Sequence, residues 1–440
     1  MALAGMVLAI GCGKGGAHRD EAPAPPAPPP KVVAPAPADA APDTVTAASD
    51  VGVWEDAGPP VETLPEGRAL VMKYPLRGGG AARAPVFVAR GRAPELALRR
   101  AFDQLHVRLP TDRRVVVLVN LGGYDRIKKG ADDGVTGRTT DRELVRALIT
   151  ELRRRGVRDL ALAAGASSRP KELQRVLAVT GYGPMLDELK VPLIDLNHYG
   201  DGDDRPLPWK MVLPWAHYLK KELVLSDDLV DPKRPIYLID VPKLKAHRFA
   251  VMSMSIKNLM GAVMIDDGGS TAPWQRRWRM HRELAPWLAA WKKSKTDDRA
   301  AYRRALAVFA ERLADLYGAL TPDLVILDGY PAMQGDGFAR VVPLAGGPYL
   351  IASKNGCYAD YVGAQLFGLA DSDALEAEVG ARMPPAIAAV AARYYGGVAA
   401  LKKITVRGDT DWRAKPMPTA WLVGMAPFTI GKRPDQTMPH

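Results

Sequence analysis

The sequence predicts an α/β protein: a largely parallel sheet with helices on both faces, in Rossmann-like layers, preceded by a disordered Pro/Ala-rich spacer. Short runs such as RVVVLVN (114–120) and PIYLIDV (235–241) are apolar at nearly every position, as strands buried on both faces must be. Stretches of helical period separate these runs, the alternation that parallel βαβ units require. From Glu21 to Pro60 the chain is rich in Pro and Ala with no apolar period, a composition that stays extended and solvated.

The elements follow in chain order. Residues 1–12 end in Ala9-Ile10-Gly11-Cys12 after a short apolar run, which reads as a bacterial lipoprotein signal with Cys12 as the lipidated residue. The run is too short to span a bilayer and lacks a basic leader segment. Either the native start lies upstream of Met1 or the match is fortuitous. Residues 13–65 are the linker, 66–410 the α/β domain and 411–440 a C-terminal tail. The expected localisation is export and membrane anchoring through Cys12, with a cytoplasmic protein carrying a solvated tail as the alternative. Within the domain, candidate strands are ALVMKYP, PVFVARG, RVVVLVN, RDLALAAG, VPLIDL, PIYLIDV, DLVILDG, YLIAS and KITVRG. Candidate helices include PELALRRAFDQL (94–105) and TDRELVRALITELRRRG (140–156). In the second, Leu144, Leu148 and Leu152 share a face, Thr140 is the expected N-cap and Gly156 the stop.

Composition narrows the function classes. The chain has 440 residues, 47% hydrophobic and 25% charged, with a net charge of +11. That charge is spread over many segments and favours acidic partners such as anionic ligands or lipid headgroups. No nucleic-acid motif accompanies it, so nucleic acid is not an expected partner. Two cysteines, Cys12 and Cys357, cannot by themselves ligate an iron–sulfur cluster or a zinc ribbon.

Ligands of open parallel sheets sit at the carboxyl ends of the strands. Those ends carry Asn120 with Gly122-Gly123, Gly165 to Ser168, Asp195 with Asn197-His198, Lys243 to His247, and Asp328-Gly329. The stretch VPKLKAHRFAVMSMSIKNLMGAV (241–263) sets Lys243, Lys245, His247, Lys257 and Asn258 in an apolar run. An unpaired buried charge there costs several kcal/mol. If the backbone after the strand stays extended, Lys243, Lys245 and His247 share one face. Lys257, Asn258 and Gly261 fit the first turn of a helix, whose free N–H groups favour anions. The competing reading makes these lysines ion-pair partners of nearby aspartates. In DLVILDGYPAMQGDGF, Asp328 ends a strand, and Gly335 and Gly337 permit a tight backbone that presents Asp336. Asp360 follows the next strand at a helix start. Three carboxylates near a Lys/His cluster could hold a divalent ion or keep the lysines charged. PWQRRWRMHRELAPWLAAWKK, with Trp278 and Arg282, is a basic aromatic helix that packs peripherally, touches a membrane or caps the cleft.

Together these segments resemble the domain-of-unknown-function 362 family (DUF362) over about Arg83 to Gly408. The resemblance rests on KxKxH, KNLxG and DGxxAMxGDG together with YLIASKNGCYADYVGAQLFG. It implies that Lys243, Lys245, His247, Lys257, Asn258, Asp328, Gly335, Asp336, Gly337 and Asp360 are site residues. It also matches His281 to a histidine placed after KNLxG, so that His247 and His281 share a site as metal ligands or as acid and base. Family members often occur with ferredoxin-type iron–sulfur modules, which implies redox or cofactor chemistry. This chain has no such module, so any cluster would sit on a separate partner protein. At 117–123, VLVNLGG places Val119 before Asn120 where relatives tend to have a lysine before a Pro-Asn pair. The expected function is binding of a phosphate- or carboxylate-bearing small molecule, with or without a divalent metal. If the cleft is catalytic, His247 is the general acid/base, Lys245 and Lys257 stabilise negative charge, and Asp328 and Asp336 position a lysine or a metal. The alternatives are a non-catalytic exported lipoprotein used for binding or assembly, and a redox partner of a separate iron–sulfur protein.

Overall fold

A computed structural model of the chain describes residues 61–434, apart from 64–68, 77–83, 123–136, 166–171, 198–207, 221–222, 264–276, 339, 416, 425–427 and most of 278–295. Cys12, the Pro/Ala-rich spacer, Gly123, Ser168, His198, Trp278 and Arg282 lie outside the described residues.

In chain order the strands are β1 (Val61–Thr63), β2 (Ala69–Met72), β3 (Val86–Arg90), β4 (Val115–Asn120), β5 (Leu160–Gly165), β6 (Leu193–Asp195), β7 (Pro208–Val212), β8 (Leu223–Ser226) and β9 (Tyr237–Val241). They continue with β10 (Lys243–His247), β11 (Val251–Ser253), β12 (Leu324–Gly335), β13 (Val341–Pro343), β14 (Tyr349–Ser353), β15 (Val406–Gly408), β16 (Leu422–Val423) and β17 (Thr429–Ile430). The main sheet runs β15-β3-β14-β12-β9-β4-β5-β6. Along this path only β14 runs against its neighbours; every other adjacent pair is parallel. A smaller sheet, β1-β2-β7-β8, was not foreseen beyond β2. Its first strand, Val61–Thr63, precedes residue 66, where the α/β domain was expected to start.

Both faces of the main sheet are covered, and the strand residues sort strictly by parity. Val116, Leu118, Leu238, Val325 and Leu327 point into one core. Val115, Val117, Val119, Ile239, Leu324 and Ile326 point into the other. The second core is closed by helices Pro94–Gln104, Arg142–Arg154, Glu172–Thr180 and Tyr182–Leu189, through Leu98, Phe102, Leu144, Leu148, Val176 and Met185. The first is closed by helices Arg299–Ala319, Gly356–Leu366 and Pro385–Tyr394, through Phe309, Leu313, Val362 and Ile387. Two buried faces explain why these strands read as continuous apolar runs. No helix among the described residues is long and apolar enough to cross a membrane.

Two local expectations are corrected. The cap of helix Arg142–Arg154 is Asp141, which accepts from the Leu144 amide at 2.8 Å. Thr140 is drawn inward instead: its hydroxyl donates to the Val241 carbonyl (2.7 Å) and accepts from the Asn120 amide (2.9 Å), tying β4 to β9. The stop at Gly156 agrees with its φ of +93°. Nor is the segment after residue 410 a tail apart from the fold. β16 pairs with β12 at Gly335, and Trp412, Trp421, Phe428 and Ile430 are buried. Their apolar bulk finds a place only against elements far away in sequence, which local pattern does not reveal.

Candidate functional site

The site begins where β9 ends. Pro242 interrupts the strand, and the chain resumes as β10 beside the prolonged β12, with Lys243 opposite Asp328 and Lys245 opposite Met333. The Pro242 carbonyl accepts from the Asp328 amide at 2.9 Å. Lys243 and Asp328 are both fully buried and form an ion pair of 3.0 Å. The Lys243 ammonium also donates to the Tyr330 carbonyl, while Asp328 accepts from the amides of Asp141 (2.5 Å) and Tyr330 (2.8 Å). Burial pushes the Asp328 carboxyl up to about 6, against the pull of Lys243 and these amides. Every polar atom of this pair is engaged. It is a structural joint between β10 and β12.

Two residues on, the environment changes. β10 and β11 form a hairpin with Lys245 opposite Ser253 and His247 opposite Val251. Leu244 and Ala246 enter the core, which leaves Lys243, Lys245 and His247 on the other face, as the period of two requires. Lys245, 2% exposed, donates to the Arg138 carbonyl at 2.5 Å and lies 5.5 Å from the Phe338 ring centre. Burial, then the like charges of Lys257, Lys243 and Arg138, opposed by the Asp336 carboxylate, pulls its pKa from the usual lysine range to about 7. His247 lies against Phe249 and Phe338. Its pKa is held well below the usual histidine value by burial and by Lys257, Lys245, His281 and Arg248.

The KNLMG segment folds as helix Ser255–Asn258 followed by a 3-10 turn, Leu259–Ala262. The Asp360 carboxylate occupies the helix N-terminus, accepting from the amides of Ser255 (2.8 Å) and Ile256 (2.9 Å). Burial pushes the Asp360 pKa up, opposed by those two amides. Asn258 donates to Asp240 at 2.7 Å, fastening the helix to β9. The 3-10 turn crosses the end of β5 so closely that a Cβ on Gly165 would stand 2.3 Å from the Gly261 carbonyl oxygen. Lys257, partly buried, reaches the Met260 sulfur at 3.6 Å and the Phe309 ring at 5.9 Å. Burial, then Arg277, lowers its pKa to about 7.

The remaining predicted residues divide in the same way. Asp336 turns back on its own loop, accepting from the amides of Phe338 (2.8 Å) and Arg340 (2.9 Å). Gly337, at φ +79°, packs where a Cβ would meet the Ala246 carbonyl at 2.4 Å; Gly335, at φ +112°, is held as closely against Arg340. These glycines do make a tight backbone, but it seats the loop on β10 and does not present a carboxylate. His281 packs on Phe249 and Phe309 at 5.1 and 4.5 Å. Its pKa is pulled well down by burial and by Lys257, Arg248 and Arg312. His247 and His281 thus flank the same phenylalanine. Among the described residues no group of three His, Cys, Asp or Glu is placed to hold a metal.

The comparisons with known proteins now bear on the chain. The family model described as "Domain of unknown function (DUF362)" matches residues 115–365, more than half of the 440 residues. The chain belongs to the DUF362 family. The matched span runs from β4 to helix Gly356–Leu366, so both the lysine hairpin and KNLMG are family territory. A thylakoid-associated protein of Synechocystis, sll1697, is 28% identical over 170 residues. That alignment covers 38% of this chain and 38% of the relative's length. No solved structure matches.

Several residues of the DUF362 cluster had escaped the sequence reading. Asp240, fully buried in YLIDV, is pushed up to about 7 by burial, opposed by Asn258 and Ser255. A lone acid inside a strand buried on both faces was a readable signal. Arg277 reaches the Val263 carbonyl, Asn197 and the Leu196 carbonyl, bridging KNLMG to the end of β6. Arg138, Arg248 and Arg312 join it around the lysines and histidines. These arginines come from separate segments and share no motif.

Proposed function

We propose that this DUF362 protein binds an anionic small molecule, phosphate- or carboxylate-bearing, at the cluster formed by Lys245, Lys257 and His247. The observation that carries the reading is the contrast among its three lysines. Lys243 has Asp328 at 3.0 Å. Lys245 has a backbone carbonyl and Lys257 a thioether sulfur, and neither forms an ion pair with a carboxylate among the described residues. Withdrawing an ammonium from water without a counter-charge costs several kcal/mol. A bound anion offsets that cost for both lysines at once. Arg277 and Arg248, from other elements, add to the same positive field.

The test is a titration of the purified protein with inorganic phosphate, and separately with citrate, followed by calorimetry. Lys245→Met with Lys257→Met should keep a cooperative melt and lose anion binding. Wild-type protein that binds neither anion would remove the proposal, as would a double variant that binds like wild type.

A further inference from the structure

The hairpin that carries Lys245 and His247 also fixes the proton on the imidazole. His247 Nδ1 accepts from the Phe249 amide at 3.1 Å and faces the Ala250 amide at 3.4 Å. A ring nitrogen that accepts a hydrogen bond carries no proton, so the neutral ring is protonated at Nε2. The turn enforces this arrangement: His247 and Val251 are paired, and Val251 adopts φ +70° to close it. The ring plane is held by Phe249 at 5.7 Å and by Phe338, edge-on, at 5.0 Å. The whole side chain is 4% exposed, yet no protein acceptor meets Nε2 among the described residues. Around it stand the charges of Lys245, Lys257 and Arg248 and the ring of His281.

We infer that His247 serves this site as a neutral hydrogen-bond donor through Nε2–H, presented to an oxyanion held by Lys245 and Lys257, and not as a general base. The inference rests on the anion site proposed above. For Nε2 to accept a proton from a ligand, the ring would have to carry its own proton on Nδ1, facing two backbone N–H donors across a closed turn. The surrounding cations oppose the alternative of a doubly protonated ring. A donor without a protein acceptor among the described residues, beside two ammonium groups that form no ion pair among them, makes one surface for a negatively charged oxygen.

Nitrogen NMR of the full chain labelled with [15N]histidine reads the tautomer directly, with His247 assigned by comparison with the His247→Asn variant. The expected result is an unprotonated Nδ1 and a protonated Nε2 from pH 6 to 8, with Nε2 shifting on addition of inorganic phosphate. In His247→Asn the amide oxygen can still accept from the turn, but nothing occupies the Nε2 position. This variant should melt near wild type and bind phosphate about tenfold more weakly, the scale of one lost hydrogen bond to a charged group. His247→Gln, which places an N–H near Nε2, should recover part of the loss. A proton on Nδ1 overturns the inference, and so does phosphate binding that leaves the Nε2 resonance and the His247→Asn affinity unchanged. If phosphate fails to bind wild type while the ring shows Nε2–H, the anion site falls and the donor role with it. If phosphate binds but His247 is indifferent to it, only the donor role falls.

Discussion

Lys243 and Lys245 are two residues apart on one strand face and differ in what balances their charge. Removing Lys243 leaves Asp328 buried without a counter-ion, so Lys243→Met should lower unfolding free energy by about 3–5 kcal/mol in urea titration. Adding Asp328→Asn, which keeps an acceptor oxygen for the Asp141 or Tyr330 amide, should restore part of that loss. Lys245 and Lys257 behave oppositely. Their folded pKa values near 7 lie below the usual lysine value near 10.5. Between those limits the unfolded chain binds more protons, so these two groups make stability rise with pH from about 7 upward. The melting temperature of wild type should therefore climb relative to the Lys245→Met, Lys257→Met variant between pH 6.5 and 9. Equal slopes for the two proteins would mean that the ammonium groups are better solvated than their burial indicates. Anion affinity should run the other way. Sulfate, whose charge is constant in this range, should bind more weakly as pH passes 7, because binding needs the lysines protonated.

At the scale of elements, the site depends on how closely KNLMG lies over the end of β5. Gly165 has no side chain there because a Cβ would meet the Gly261 carbonyl at 2.3 Å and the Arg277 guanidinium at 2.5 Å. Gly165→Ala must push the 3-10 turn away, at a cost of about 1–3 kcal/mol for overpacking. It should also weaken phosphate binding through displacement of Lys257, although Gly165 need not touch the ligand. Calorimetry on the variant reads both effects, and unchanged affinity would place Lys257 outside the binding surface. The helix start at Ser255 illustrates how an element can be legible and its role not. The sequence marked a helix beginning near KNLMG, and a helix is there. That its N-terminal amides would be taken by Asp360, more than one hundred residues later, depends on the packing of helix Gly356–Leu366 against it.

For the whole molecule, the main sheet with its two covered faces was legible because burial on both sides removes the polar alternation from each strand. The reversed direction of β14 within the path β15-β3-β14-β12-β9-β4-β5-β6 was not, since YLIAS is as apolar as its neighbours and direction leaves no mark on composition. The C-terminal segment makes the same point with a test attached. Ending the chain after residue 410 deletes β16, which pairs with β12 at Gly335, and the buried Trp412, Trp421 and Phe428. The apolar surface left exposed on the first core should abolish a cooperative melt, whereas residues 61–440 should retain one. A truncated chain that melts normally would show that this segment only decorates the fold.

By itself the sequence determined the α/β class, most main-sheet strands, the family, and the lysines and histidines around which a site could be sought, because periodicity and misplaced charge are local properties. Only the tertiary structure decided which charges are balanced. Asp328, Asp336 and Asp360 look equivalent in sequence, yet one neutralises Lys243, one folds onto its own loop and one caps a helix. Partnership between charges is set by distances across the sheet, and sequence separation carries no information about those distances.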